Sequence, residues 1–271
     1  MRNIKFTIAY DGTDFSGWQI QPGQYTIQGV MMDVLGKLTQ RRVMIQAAGR
    51  TDAGVHAAGQ VVNFKTQSTL TAEEFLRAFN ALLPPSIRVY TAQEVGPDFH
   101  ARWDALAKTY RYRIYRGRIV PPFVWKYVHH DPVELNFDAM AEAARVFEGE
   151  HDFTTFSGSA GSEEDERERL TVRTIYRSEF LRDRSASSRH ADEEWVYVVR
   201  GKSFLRYMVR KIVGTLVEIG KGKRSAADLP ELFELRDRSK CGMTLPPQGL
   251  CLESVEYPDP ANSLASRASS E

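Results

Sequence analysis

Cysteine is scarce in this chain: Cys241 and Cys251 are the only two among 271 residues. Their spacing suits neither a metal cluster nor a disulfide framework, and such usage points to a reduced, cytoplasmic setting. The plainest role for both is small apolar filler. Long hydrophobic runs are missing too. The opening MRNIKFTIAYDGTD has an apolar stretch too short for a signal peptide and broken by Lys5, and nothing later approaches a membrane span, so no membrane partner is expected. Metal-ligand spacing is also absent. His129 and His130 are adjacent, which makes their side chains diverge on a strand, and no metal is expected. Finally, the formal net charge is only +1, which gives no overall signature of a nucleic-acid partner.

A hydrophobic content of 42% over this length is enough to bury a core, and two domains of ordinary size are expected. The near-neutral charge conceals segregation. Lys108, Arg111, Arg113, Arg116, Arg118 and Lys126 fall in a stretch with no acid, interleaved with Tyr110, Tyr112, Tyr115, Trp125 and Tyr127. A second basic stretch runs from Arg200 to Arg224, and acids gather in SEEDERE, Ser162 to Glu168. Basic residues mixed with aromatics suit a phosphate backbone with stacked bases; a solvated charged face over core aromatics fits either stretch as well.

Periodicity sets the order of elements. Ile4, Phe6, Ile8 and Tyr10 alternate as a strand, and Thr26 opens a helix with Ile27, Val30, Met31, Val34, Leu35 and Leu38 on one face. Strands follow at Val43 to Ala47 and Gln60 to Phe64. Thr71 and Glu74 form a capping box for a helix bearing Phe75, Leu76, Phe79 and Leu82, which Pro84 and Pro85 end, and Ile87 to Val95 is a strand. This is the β-α-β-β-α-β order of a ferredoxin-like unit. The order repeats without obvious sequence identity: a strand at Thr109 to Tyr115, a helix from Asn136 stopping at Gly149, strands at Val172 to Leu181 and Trp195 to Arg200, a helix from Ser203 to Ile219, a short helix capped by Ser225, and a strand at Leu250 to Val255. The expected domains are 1–105 and 106–258, with a disordered tail at 259–271.

Between two strands of the first half lies AAGRTDAGVHAAGQ, in which Arg50 and Asp52 are flanked by Gly49, Gly54 and Gly59. Small neighbours let backbone and substrate approach closely, so Asp52 is expected to be exposed at a cleft wall. A hairpin loop whose Asp bonds its own backbone fits the same residues. Two look-alike motifs fail. YDGTDF has Ala9 where a haloacid dehalogenase-type phosphatase needs its nucleophile, and GTLVEIGKGK has the wrong glycine spacing for a phosphate loop and lies on an apolar helix.

Taken together, YDGTDFSGWQIQP, TIQGVM, GRTDAGVHA, FHAR, KTYRYRI, GKSFLRYMVRKIVGTLVEIGKGKR and RDRSKCGMTLPPQGLCL cover nearly the whole chain, and the chain with them resembles the tRNA pseudouridine synthase A family. The match is weakest over Ser159 to Glu194, and Leu245 stands where relatives usually carry alanine; neither departure falls on a chemical residue. The resemblance implies an α+β fold of two ferredoxin-like halves packed into one mixed sheet with a central cleft. It implies a cofactor-free isomerase that detaches uridine at N1 and rejoins it through C5 at tRNA positions 38 to 40, acting as a homodimer. Asp52 maps onto the catalytic aspartate, as nucleophile toward ribose C1′ or uracil C6 or as stabiliser of a glycosidic transition state, and Tyr110 onto the active-site tyrosine. Arg50 and Arg210 are the expected cationic partners. Spacing by four sets Lys202, Arg206 and Arg210 on one helix face, with Lys202 and Arg206 as phosphate contacts. Lys108 and Arg111 join them as substrate-binding residues. Phe99 and Trp103 are expected to pack between the halves, and His100 has no visible partner. Two other readings stay open: a non-catalytic tRNA-binding or chaperone protein on this scaffold, and a carboxylate-nucleophile hydrolase. Release of the uridine C5 hydrogen separates them, because binding does not require it.

Overall fold

The computed structural model describes residues 1–158, 170–182 and 194–258. The acidic run at 162–168 and the tail from 259 lie outside the described residues. The chain divides into two compact units, Met1–Lys108 joined by the segment from Leu252, and Thr109–Cys251. Both are α+β.

The first unit runs β1 (Arg2–Tyr10), α1 (Ile27–Thr39), β2 (Gln46–Ala47), β3 (His56–Thr66), α2 (Ala72–Leu82), β4 (Ile87–Val95). Its strand order is β4-β1-β3, antiparallel throughout, with β2 pairing β3. Alternation in β1 buries Ile4, Phe6 and Ile8 completely. Phe6 meets Phe64 and Phe79 edge-on at 5.2 and 5.0 Å, fastening β1 to β3 and to α2 with aromatic contacts. The capping box forms: Thr71 Oγ1 accepts from the Glu74 amide and the Glu74 carboxylate accepts from Thr71 N. Two expectations are trimmed. The strand expected over Val43–Ala47 is only two residues long, because only Gln46 and Ala47 find ladder partners on β3, and Leu82 is 50% exposed rather than on the core face. Leu252 to Glu256, the greater part of β10 (Leu250–Glu256), returns to this unit beside β3, so closely that a Cβ on Gly59 would sit 2.3 Å from the Glu253 carbonyl oxygen. Gly59 is there for close approach.

In the second unit β5 (Ala107–Tyr115, from Thr109 onward), α3 (Phe137–Arg145), β8 (Val172–Arg182), β9 (Glu194–Gly201) and α4 (Met208–Gly220) follow the expected order. Two short strands are additional: β6 (His129–His130), parallel to β5, and β7 (Gly149–Asp152), antiparallel to β8. The Asn136 side chain caps α3, and Ser225 with Asp228 caps the turn leading into α5 (Leu229–Leu235). Helix α4 buries Met208, Val209, Ile212, Val213 and Leu216 as the periodicity predicts, but begins at Met208 and not at Ser203. Tyr207 adopts φ 63°, and a left-handed residue cannot continue a right-handed helix. No described helix is long and apolar enough to cross a membrane.

Candidate active site

The Asp52 turn is braced from several directions within the first unit. Trp18 N donates to Thr51 O at 3.0 Å, Tyr10 OH and Thr51 Oγ1 are 2.8 Å apart, and Gln60 Nε2 donates to Gly49 O at 2.8 Å. Val55 N donates to Asp52 O at 3.1 Å, closing a turn in which Gly54 supplies the positive φ of 76°. The loop after β1 lies against it with almost no gap. A Cβ on Gly17 would fall 2.8 Å from Thr51 O, and one on Gly12 would fall 2.0 Å from Val55 O. His56, 5% exposed, accepts from Gly12 N through Nδ1 at 3.1 Å and lies 3.3 Å from Asp11 Oδ1. Asp11 also accepts from Thr13 N, so Asp11 and the buried Trp18 belong to the scaffold of the turn.

Asp52 itself is half-buried, against the expectation of an exposed carboxylate, while Arg50 is exposed. Thr51 between them is 7% exposed and points inward to Tyr10. Lys108 is only 8% exposed; its stem lies along Gly49, with Cε 3.5 Å from where a Cβ would stand. The structure therefore brings Arg50, Asp52 and Lys108 into one neighbourhood.

In the second unit Tyr110, 7% exposed, meets Phe204 edge-on at 5.0 Å. Phe204 lies in the non-helical segment 202–207 between β9 and α4, so Tyr110 lies beside the entry to α4. Lys202 and Arg206 precede the helix, which removes the helical stripe expected to join them to Arg210. Both are exposed, and Arg111 is half-exposed on β5. Arg210, in the first turn of α4, donates from Nε to Leu245 O at 2.6 Å, and its guanidinium lies 5.1 Å from the Tyr207 ring. The next carbonyl, Pro246 O, accepts from the buried Tyr112 hydroxyl at 2.8 Å. Burial pushes the Tyr112 phenol far above its ordinary range, with the Arg210 charge opposing. Leu245, a departure from relatives set apart from the chemistry in the sequence, thus holds Arg210 through its backbone.

The interleaved basic stretch is partly consumed at home. Arg113 forms a two-armed pair with Glu194, and the Arg116 guanidinium lies 4.2 Å over the Trp195 ring. Phe99 packs against Tyr257 at 5.2 Å within the first unit, whereas Trp103 is 53% exposed. His100 has partners after all: its Nδ1 accepts from Arg102 N at 3.1 Å and its amide donates to Asp104. His56 and Tyr207 had no place in the site read from the sequence, and Leu245 stood out only as a departure from relatives. Tyr207 carried one signal, its place between two arginines in FLRYMVR.

A family profile described as tRNA pseudouridine synthase matches residues 7–104 and 143–258, a span containing Arg50, Asp52, Arg206 and Arg210. With the paired α+β units, that makes the chain a pseudouridine synthase by class. The chain is similar to tRNA pseudouridine synthase A of Solibacter usitatus (strain Ellin6076), 46% identical over 257 residues that cover 95% of this chain and 100% of that protein. It is also similar to the proteins of that name from Geobacillus kaustophilus (strain HTA426), 45% identical over 95% of each chain, and Brevibacillus brevis (strain 47 / JCM 6285 / NBRC 100599), 42% identical over 95% of this chain and 100% of that one. The chain belongs to the tRNA pseudouridine synthase A family, and as a member it is an isomerase that converts uridine to pseudouridine.

Proposed function

We propose that this isomerase acts on uridines at positions 38 to 40 of the tRNA anticodon stem-loop, with Asp52 as its nucleophile. The observation that carries the proposal is the bracing of the turn: a half-buried carboxylate on a backbone fixed by hydrogen bonds from Trp18 and Val55 and a side-chain bond from Gln60 is preorganised for attack. Ribose C1′ and uracil C6 are both electrophilic positions open to it. The N1–C1′ bond breaks, the C5–C1′ bond forms, the C5 proton is lost and N1 takes up a proton, so the product is an isomer of the substrate with no net redox change and no cofactor required. The first half, residues 1–105, supplies Asp52 and Arg50, and the second, 106–258, supplies Tyr110 and Arg210. Tyr110 stacks on the uracil and assists proton removal from C5. Arg50 contacts the phosphate of the flipped nucleotide or fills the space its base leaves. Lys202, Arg206, Arg111 and Lys108 bind the RNA.

Reaching a stacked base requires flipping it out of the stem-loop, at a cost of a few kcal/mol offset by pocket contacts. The enzyme works as a homodimer in the cytoplasm, since a stem-loop with the tRNA body exceeds the reach of one small subunit. Mapping pseudouridine in tRNA treated with the purified protein tests the site assignment. Product confined to positions 38 to 40 is expected; product elsewhere in the molecule overturns it.

A further inference from the structure

Among the described residues three other than glycine have positive φ: Gln40, Arg236 and Tyr207. Gln40 and Arg236 terminate helices, where a left-handed residue is the ordinary way to stop. Tyr207 precedes one. The residue before a helix is normally extended and capped by its own side chain, but Tyr207 has φ 63°, ψ −3° and no side-chain cap. An unfavourable conformation without a local reason persists only where the surroundings hold it, and the surroundings name what it is for.

Those surroundings are specific. Gly158 leaves room for the ring: a Cβ there would stand 2.8 Å from Tyr207 Cδ2, and Gly158 N donates to Arg206 O at 2.8 Å. Ser157 beneath is buried and accepts from Arg238 Nε at 2.9 Å. The Tyr207 hydroxyl accepts from Arg206 Nη2 at 2.9 Å, with the Arg206 guanidinium 4.7 Å from the ring centroid. The Arg210 guanidinium lies 5.1 Å from the same centroid, and its Nε is anchored on Leu245 O. A ring held in place by Gly158 and the left-handed turn and an accepting carbonyl thus address one guanidinium.

We infer that Tyr207 is a positioning residue for Arg210: its left-handed backbone sets the aromatic ring against the guanidinium and, with the Leu245 carbonyl, fixes the direction in which that guanidinium points. This rests on the reading of Arg210 as a residue of the isomerisation. The backbone conformation is the means, because an extended residue at 207 would send the ring elsewhere while α4 still formed.

Turnover of tRNA carrying C5-tritiated uridine, with kcat and KM resolved, tests the inference on three variants. Tyr207→Phe keeps the ring and should stay within about twofold of the parent kcat. Tyr207→Asn tolerates the left-handed backbone but removes the ring; it should lose roughly tenfold in kcat, with KM within about twofold, while melting as a folded protein. A parent-like kcat for folded Tyr207→Asn overturns the inference, as does an equal loss in Tyr207→Phe. Arg210→Ala tells the two levels apart. If it turns over at the parent rate, the reading of Arg210 falls; if it is inactive while folded Tyr207→Asn keeps the parent kcat, the positioning role alone falls.

Discussion

Replacing Gly17 by alanine should misplace the Asp52 turn without touching a charged residue. Gly17 has φ 90°, and its new Cβ would lie 2.8 Å from Thr51 O, 3.0 Å from Ala53 N and 3.1 Å from the Asp52 carbonyl carbon. Since carbon and carbonyl oxygen normally approach no closer than about 3.3 Å, the turn must retreat by roughly 0.5 Å. A positive φ costs an L-residue about 1–2 kcal/mol, and overpacking adds about 1–3 kcal/mol. Misplacement by 1 Å can cost about a hundredfold in rate, so half that shift predicts about tenfold. Gly23→Ala is the matched control. Gly23 also has positive φ, 70°, but nothing lies within 4 Å of its added Cβ, so only the backbone cost applies. Tritium release should fall about tenfold in Gly17→Ala and stay near the parent in Gly23→Ala, with denaturant midpoints showing the larger stability loss in Gly17→Ala. Equal rates in the two variants would refute the claim that backbone placement sets the activity of this turn.

Two further outcomes follow from the second unit. Alanine at Lys202 or at Arg206, both exposed, should each lower the slope of log binding constant against log salt by about one if each neutralises a phosphate; an unchanged slope in filter-binding titrations removes that residue from the RNA contacts. The His129 pKa is lowered by burial, against the pull of Asp131 and with Lys221 and His130 adding to the shift. Below the ordinary histidine pKa of about 6.5 the unfolded chain therefore binds the proton more readily, so the contribution of His129 to stability is present above that pH and lost as pH falls through it. His129→Gln should show a smaller drop in urea midpoint between pH 7.5 and pH 5.5 than the parent; an equal or larger drop contradicts this sign.

Local regularities were legible and long-range backbone contacts were not. The alternation of β1, the Thr71–Glu74 box and the buried stripe of α4 each arise within a few residues, and each has its expected place. The spacing of Lys202, Arg206 and Arg210 suits an earlier helix start, while the feature that delays α4 to Met208 is the left-handed Tyr207, seated against Gly158. The part Leu245 plays at Arg210 was not legible for a related reason. Its contact with Arg210 is made by a carbonyl, which every residue type possesses. Charge patterning grouped Lys108 with Arg113 and Arg116, but packing separates them: one lies along Gly49, one pairs with Glu194 and one stacks on Trp195. The pattern of β10 predicted a strand but could not say that Leu252 onward returns to the first unit.

Asp52→Asn is nearly isosteric and leaves the turn's backbone hydrogen bonds, so it isolates the carboxylate from its setting. Tritium release from C5-labelled tRNA should vanish in this variant while tRNA binding stays at the parent affinity. Retained release at a rate near the parent would contradict the assignment of Asp52 as the nucleophile.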